Sequence, residues 1–94
     1  MASDEQNLLW QHDIRTLKKV GCYAQTELGH GSNVAGLETT ATFDMNTDEF
    51  VIHSPTVTST KYWPGGLGLW ANHAAVFARC RVGENEYGTL PFMV

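Results

Sequence analysis

From Leu37 onward, short β-prone runs alternate with turn-forming clusters, and this punctuation constrains the chain more than any other feature. Leu37 to Phe43 is threonine-rich with partial alternation, and Phe50, Val51 and Ile52 favour a strand. Between them Asp44 to Asp48 is turn-like, so residues 38 to 54 read as a hairpin with a loop of about five residues. Pro55 ends its second strand. Thr56 to Trp63 then alternates hydroxyl-bearing and larger side chains until Pro64, Gly65 and Gly66 break the run. A further strand is predicted from about His73 to Arg81, a turn over Val82 to Glu86, and a last strand over Tyr87 to Val94, where Pro91 argues for a sheet edge. Evenly spaced short strands with glycine turns predict a mainly β fold, an antiparallel sheet folded over on itself as a β-sandwich or a partly open β-barrel.

The N-terminal residues carry a different signal. Ser3 followed by Gln6 fits a capping box, and Asp4 and Glu5 place negative charge in the first turn, where the helix dipole favours it. Trp10, Ile14 and Leu17 form one apolar face, Lys18 and Lys19 suit the C-terminal end, and Gly21 is expected to close the helix. Val20 to Gln25 reads as a short strand after it.

A chain of 94 residues holds one modest core. With six basic and ten acidic residues it carries a formal charge of -4, which excludes a basic stripe for nucleic acid. No apolar run reaches the ~20 residues of a membrane-spanning helix. Cys22 and Cys80 are expected to be free thiols, and His12, His30, His53 and His73 have no metal-ligand spacing, so no metal is expected.

Two stretches carry chemistry. In YAQTELGHGSNV, Tyr23 to Val34, the polar side chains of Gln25, Thr26 and Glu27 precede a turn whose glycines allow close backbone approach. Such a run suits a ligand-contacting loop, although composition alone fits a polar connector as well. The Thr26 hydroxyl both donates and accepts, so it can serve a flat heteroaromatic ligand or bond its own backbone. If the strand persists that far, alternation puts Gln25 and Glu27 on the face opposite Thr26. In KYWPGGLG, Lys61 to Gly68, Trp63 offers an apolar plate beside bare glycine backbone, the parts a planar cofactor needs; the other reading is a buried tryptophan anchoring the sheet. A phosphate loop is rejected because no GK[ST] ending follows the glycines, and Ser32 lacks the GxSxG context of a hydrolase. No catalytic base stands out among the acidic residues.

Together with the later run NHAAVFARC, these motifs resemble the central β-domain of peroxisomal acyl-CoA oxidases, with the match running from about Val20 to Val94. The related dehydrogenases usually carry TEPGAGSD; Leu28, His30 and Asn33 here depart from it and favour an oxidase. The resemblance implies residues 1–19 as a helical segment and 20–94 as a middle β-domain, incomplete at its C-terminus. It implies FAD as cofactor, with Thr26 hydrogen-bonding the isoalloxazine ring, Gly65 as a second flavin contact, Gln25 at the flavin edge and Trp63 packed against the ring. Ser32 aligns with a serine that contacts the thioester portion of the substrate. In the family a fatty acyl-CoA loses its α-proton to a glutamate and its β-hydride to the flavin, and O2 then reoxidises the flavin, giving H2O2. That glutamate belongs to a helical C-terminal domain, so none of Glu27, Glu38 or Glu49 inherits its role, and no catalytic residue is expected in these 94 residues. A homodimer in full-length form and a peroxisomal location follow from the same resemblance, without any visible targeting signal. The alternative is a catalytically inactive β-module that acts only by association with another oxidase domain or subunit, leaving apolar patches around Trp70 and Phe77. Alone, the chain is expected to bind FAD weakly or not at all.

Overall fold

The computed structural model describes residues 2–94. Its elements are a helix α1 (Asp4–Arg15), five strands, β1 (Gly21–Ala24), β2 (Thr40–Asp44), β3 (Glu49–His53), β4 (His73–Val82) and β5 (Asn85–Met93), and a single 3-10 turn at Val34–Gly36. The mainly β class with an N-terminal helix is the one the sequence predicts.

Helix α1 begins as expected: the Ser3 hydroxyl accepts from Gln6 N–H at 3.2 Å and the Gln6 side chain accepts from Ser3 N–H at 2.9 Å, closing the capping box. Its end differs from the expectation. Thr16 caps the helix, its hydroxyl donating to the His12 carbonyl at 2.9 Å, and Leu17 turns the chain out with φ of 57°. Gly21 is free for β1. Ile14 and Leu17 remain exposed, and Trp10 alone makes the recorded aromatic contacts of α1, standing edge-on to His73 at 5.7 Å under the Lys19 ammonium at 4.1 Å.

The five strands form one open mixed sheet in which β4 is the axis. Antiparallel pairing joins β2 to β3 and β4 to β5, but β1 and β2 both run parallel to β4. The purely antiparallel arrangement is therefore corrected at two of its pairings. Alternation along a strand encodes which face is buried and says nothing of the partner's direction, and the long connections from β1 and from β3 to β4 leave room for parallel return. The hairpin of β2 and β3 closes through four residues, Met45 to Asp48, rather than about five, with Asp44 Oδ1 accepting from Asn46 N–H at 2.9 Å. Thr56 to Trp63 forms no strand. Serine and threonine bond each other and the local backbone there instead, as where the Ser59 hydroxyl donates to the Thr56 carbonyl at 2.7 Å.

Small residues, Cys22, Ala24, Ala41, Ala78 and Cys80, fill the buried face where β1, β4 and β2 meet. Larger rings continue that face: Phe43 meets Phe50 at 5.2 Å across the hairpin, and Phe50 meets Phe92 of β5 at 5.1 Å. In a flat sheet β3 and β5 would stand three strand spacings apart, roughly 14 Å at ~4.8 Å each. Their contact shows that the sheet curls toward closure without β3 and β5 pairing among the described residues. A register shift between Arg79 and Arg81, where Gly88 of β5 takes φ of 78°, supplies a bend of the kind bulges produce. The partly open barrel is thus the better of the two predicted forms, and β5 with Pro91 lies at its edge.

Candidate functional site

The two motifs singled out in the sequence lie side by side. Beyond β1 the chain runs antiparallel to residues 58 to 62: Tyr62 N–H donates to the Thr26 carbonyl, Leu28 N–H to Thr60 and Gly29 N–H to Thr58, each at 2.9 Å. Reciprocal bonds between Glu27 and His30 at 3.1 Å close the turn. Thr26 thereby stands opposite Tyr62, one residue before Trp63 and three before Gly65.

Behind this surface lies a node the sequence did not announce. Along one edge of β4, β1 covers His73 to Val76 and β2 covers Arg79 to Arg81, so Phe77 and Ala78 face the fork between them. The Lys61 ammonium fills that fork. It donates to the Phe77 carbonyl at 2.7 Å, to the Gln25 carbonyl at 3.0 Å and to Glu27 Oε1 at 3.2 Å, which uses all three of its donors. Glu27, only 2% exposed, also accepts from Glu38 N–H at 2.8 Å and Thr39 N–H at 2.9 Å. Burial acts to raise the Glu27 pKa, but these backbone donors and Lys61 outweigh it and hold the carboxyl below its usual range. Burial lowers the Lys61 pKa, and Glu27 offsets part of that effect. The condition for strand alternation at Glu27 is not met, because β1 ends at Ala24, and the bridge to Lys61 brings the carboxylate inward. One signal could have found the pair: opposite charges, one in each motif, each within a few residues of a proposed contact.

A second carboxylate ties the loop down from outside. Glu38 accepts from the hydroxyls of Thr56 and Thr58, the latter at 2.9 Å, and its Oε1 lies 3.1 Å from His30 Nε2. The Thr56 bond, followed by those of His30 and Thr58, lowers its pKa from 4.5 to about 2. Gly29 is required here by packing, since a Cβ would lie 2.8 Å from Thr58 Cβ and 3.3 Å from its carbonyl oxygen.

The Trp63 turn is built differently. Trp63 is 78% exposed, so it is not a buried anchor of the sheet, and it adopts φ of 47°, a left-handed conformation costing a non-glycine residue about 1–2 kcal/mol. Its ring stacks on Tyr62 at 6.1 Å. Gly66 and Gly68, with φ of 78° and 80°, are demanded by the turn itself. Gly65 is not: it has no positive φ, and an added Cβ would meet no atom within 4 Å. An exposed indole plate beside open backbone and a half-buried threonine has the shape and donor set that a planar heteroaromatic group requires.

Gln25 is half-buried and accepts from the Tyr23 hydroxyl at 2.9 Å; with Val34, Ala35, Phe77 and Thr89 it lines a shallow groove of about 330 Å³. Ser32 lies on the exposed part of the loop, its carbonyl accepting from Val34 N–H at 3.0 Å. Phe77 packs on Tyr23 at 4.9 Å and is half-buried, whereas Trp70 is as exposed as Trp63. No helix among the described residues is long and apolar enough to cross a membrane.

No protein-family model matches the chain. It is 56% identical over 92 residues to the peroxisomal acyl-coenzyme A oxidase 1 of Arabidopsis thaliana, covering 98% of this chain and 14% of that protein. To the peroxisomal acyl-coenzyme A oxidase 1 of Mus musculus it is 53% identical over 85 residues, 90% of this chain and 13% of the relative. It superposes on the crystal structure of an acyl-CoA oxidase from tomato with a TM-score of 0.95 at 58% identity, covering 99% of this chain and 14% of that one. An acyl-CoA oxidase-2 of Caenorhabditis elegans, bound with FAD, ascaroside-CoA and ATP, gives a TM-score of 0.93 at 53% identity, with 99% and 14% covered.

Proposed function

Because the chain belongs to the acyl-CoA oxidases as a segment spanning 14% of their length, we propose that residues 20–94 form the flavin-facing middle β-domain of such an oxidase. In this reading the parent enzyme oxidises a fatty acyl-CoA to the trans-2-enoyl-CoA, passes the electrons through FAD to O2 and works in the peroxisome, as the names of the relatives suggest. FAD supplies the hydride-accepting ring. Thr26 hydrogen-bonds that ring, the Gly65 backbone approaches it, Trp63 stacks on it and Gln25 borders it, while Ser32 contacts the thioester end of the substrate.

The observation that carries the reading is the pairing of Tyr62 N–H with the Thr26 carbonyl, which brings an exposed Trp63 and an open Gly65 beside Thr26. Two hydrogen bonds at ~1 kcal/mol each and a stacking contribution of ~1–3 kcal/mol sum to ~3–5 kcal/mol, submillimolar binding at best and far from the ~12 kcal/mol of a nanomolar complex. FAD titrated into the purified chain and followed by backbone amide shifts should move Thr26 and Gly65 weakly. Stoichiometric binding with a flavin absorbance would contradict the weak affinity, and movement of other amides with Thr26 and Gly65 silent would contradict the site.

The second reading, a module active only through association with another oxidase domain or subunit, draws support from the exposed side chains of Leu67, Leu69 and Trp70 beside the same turn. Sedimentation separates the two: a clean monomer that binds flavin favours the first.

A further inference from the structure

We infer that Lys61, with Glu27 as its counter-ion, is a positioning residue that holds the two cofactor loops in register. The inference rests on the flavin reading and names the device behind it. The two loop acceptors of the Lys61 ammonium, the Gln25 carbonyl and the Glu27 carboxylate, flank Thr26 on either side, and the third, the Phe77 carbonyl, belongs to the central strand. Lys61 itself lies two residues before Trp63 and four before Gly65. One ammonium therefore ties the threonine, the tryptophan turn and β4 to a single point.

The backbone alone does not provide this. Three backbone bonds pair the two loops, but Tyr62 N–H to the Thr26 carbonyl is the last of them before Trp63, and none of the three reaches β4. The Lys61 ammonium adds that tie, joining both sides of Thr26 to the Phe77 carbonyl. An apolar pair of similar size would avoid the desolvation cost of burying two charges, but it would offer no directional bonds to the Phe77 and Gln25 carbonyls. Glu27 in turn holds Glu38 and Thr39 through their N–H groups, so the same node carries the register into β2.

The test compares the wild-type chain with Lys61→Met and with the doubly neutral Glu27→Gln/Lys61→Met, which folds without an unpaired buried charge if the single variant does not. FAD is titrated while the amides of Thr26 and Gly65 are followed, and hydrogen exchange is read at Tyr62, Leu28 and β5. In the wild type the two amides should trace one isotherm. In either variant the affinity should fall at least about tenfold and the two amides should cease to move together, while β5 keeps its protection. A folded variant whose Thr26 and Gly65 still share one isotherm at wild-type affinity would overturn the inference. Silence of both amides in the wild type while other amides move would instead sink the flavin reading, and where the flavin titration is silent Lys61 is judged by exchange. Tyr62 and Leu28 N–H exchanging at least about tenfold faster in the variants, with β5 unchanged, supports the register role, and unchanged exchange refutes it.

Discussion

The glycine at position 29 and the glycine at position 65 sit in neighbouring turns and answer to different constraints. Around Gly29 the chain is closed on itself: Thr58 presses against the backbone, Glu38 gathers His30, Thr56 and Thr58, and the buried Glu27 is fully bonded. Around Gly65 it is open, with space where a side chain would stand and an indole facing solvent in a costly backbone conformation. The first turn is explained by the fold. The fold does not explain the second, and on the proposed reading this contrast separates scaffold from contact surface within one site.

Breaking the closed turn should cost most. Glu27→Met leaves the Lys61 ammonium and two backbone N–H groups without their acceptor, and urea unfolding should show a loss of about 3–5 kcal/mol. Gly29→Ala forces a methyl against Thr58 and should cost about 1–3 kcal/mol in the same assay. If either variant unfolds at the wild-type midpoint, the closed turn is not the scaffold described above.

Acid should loosen the same turn at a defined place. The folded pKa of Glu38 lies at about 2, below its ordinary 4.5, so its contribution is fully present above 4.5 and is lost as the pH falls from there toward 2. Stability should fall across that window while the amide shifts of Gly29 and Thr58 titrate near its lower end, at about 2, and a shift transition centred at 4.5 would rule out the bonds drawn to Glu38.

On the open side the effects on stability should be small. Trp63→Gly removes an exposed ring and the left-handed strain together, and its melting should be unchanged or raised by up to about 1 kcal/mol while flavin stacking is lost. A clear destabilisation would mean that Trp63 serves the fold after all.

What the sequence disclosed follows the range of each interaction. The capping box of α1 and the β2–β3 hairpin are set by residues a few positions apart, and both are legible in the order Ser3–Gln6 and in the turn around Asp44. The parallel placement of β1 and β2 on β4 depends on partners far along the chain, which alternation does not encode. The same limit hid the node at Lys61: Glu27 and Lys61 are 34 positions apart, and only the fold brings their side chains together. Thr26, Trp63 and Gly65 are singled out through the resemblance of their two motifs to the oxidases, since their residue types alone fit a connector or a buried anchor as well. Their adjacency came from the pairing of Tyr62 with Thr26.

Gly65→Ala tests in one comparison the proposal that Gly65 is bare for a ligand and not for the fold. The variant should melt with the wild type, within about 0.5 kcal/mol, because nothing lies within 4 Å of the added methyl. Its amide-detected affinity for FAD should fall at least about tenfold, since the methyl would intrude where the ring is proposed to approach the backbone. Equal melting with undiminished flavin affinity would contradict the claim, and so would a variant that loses stability.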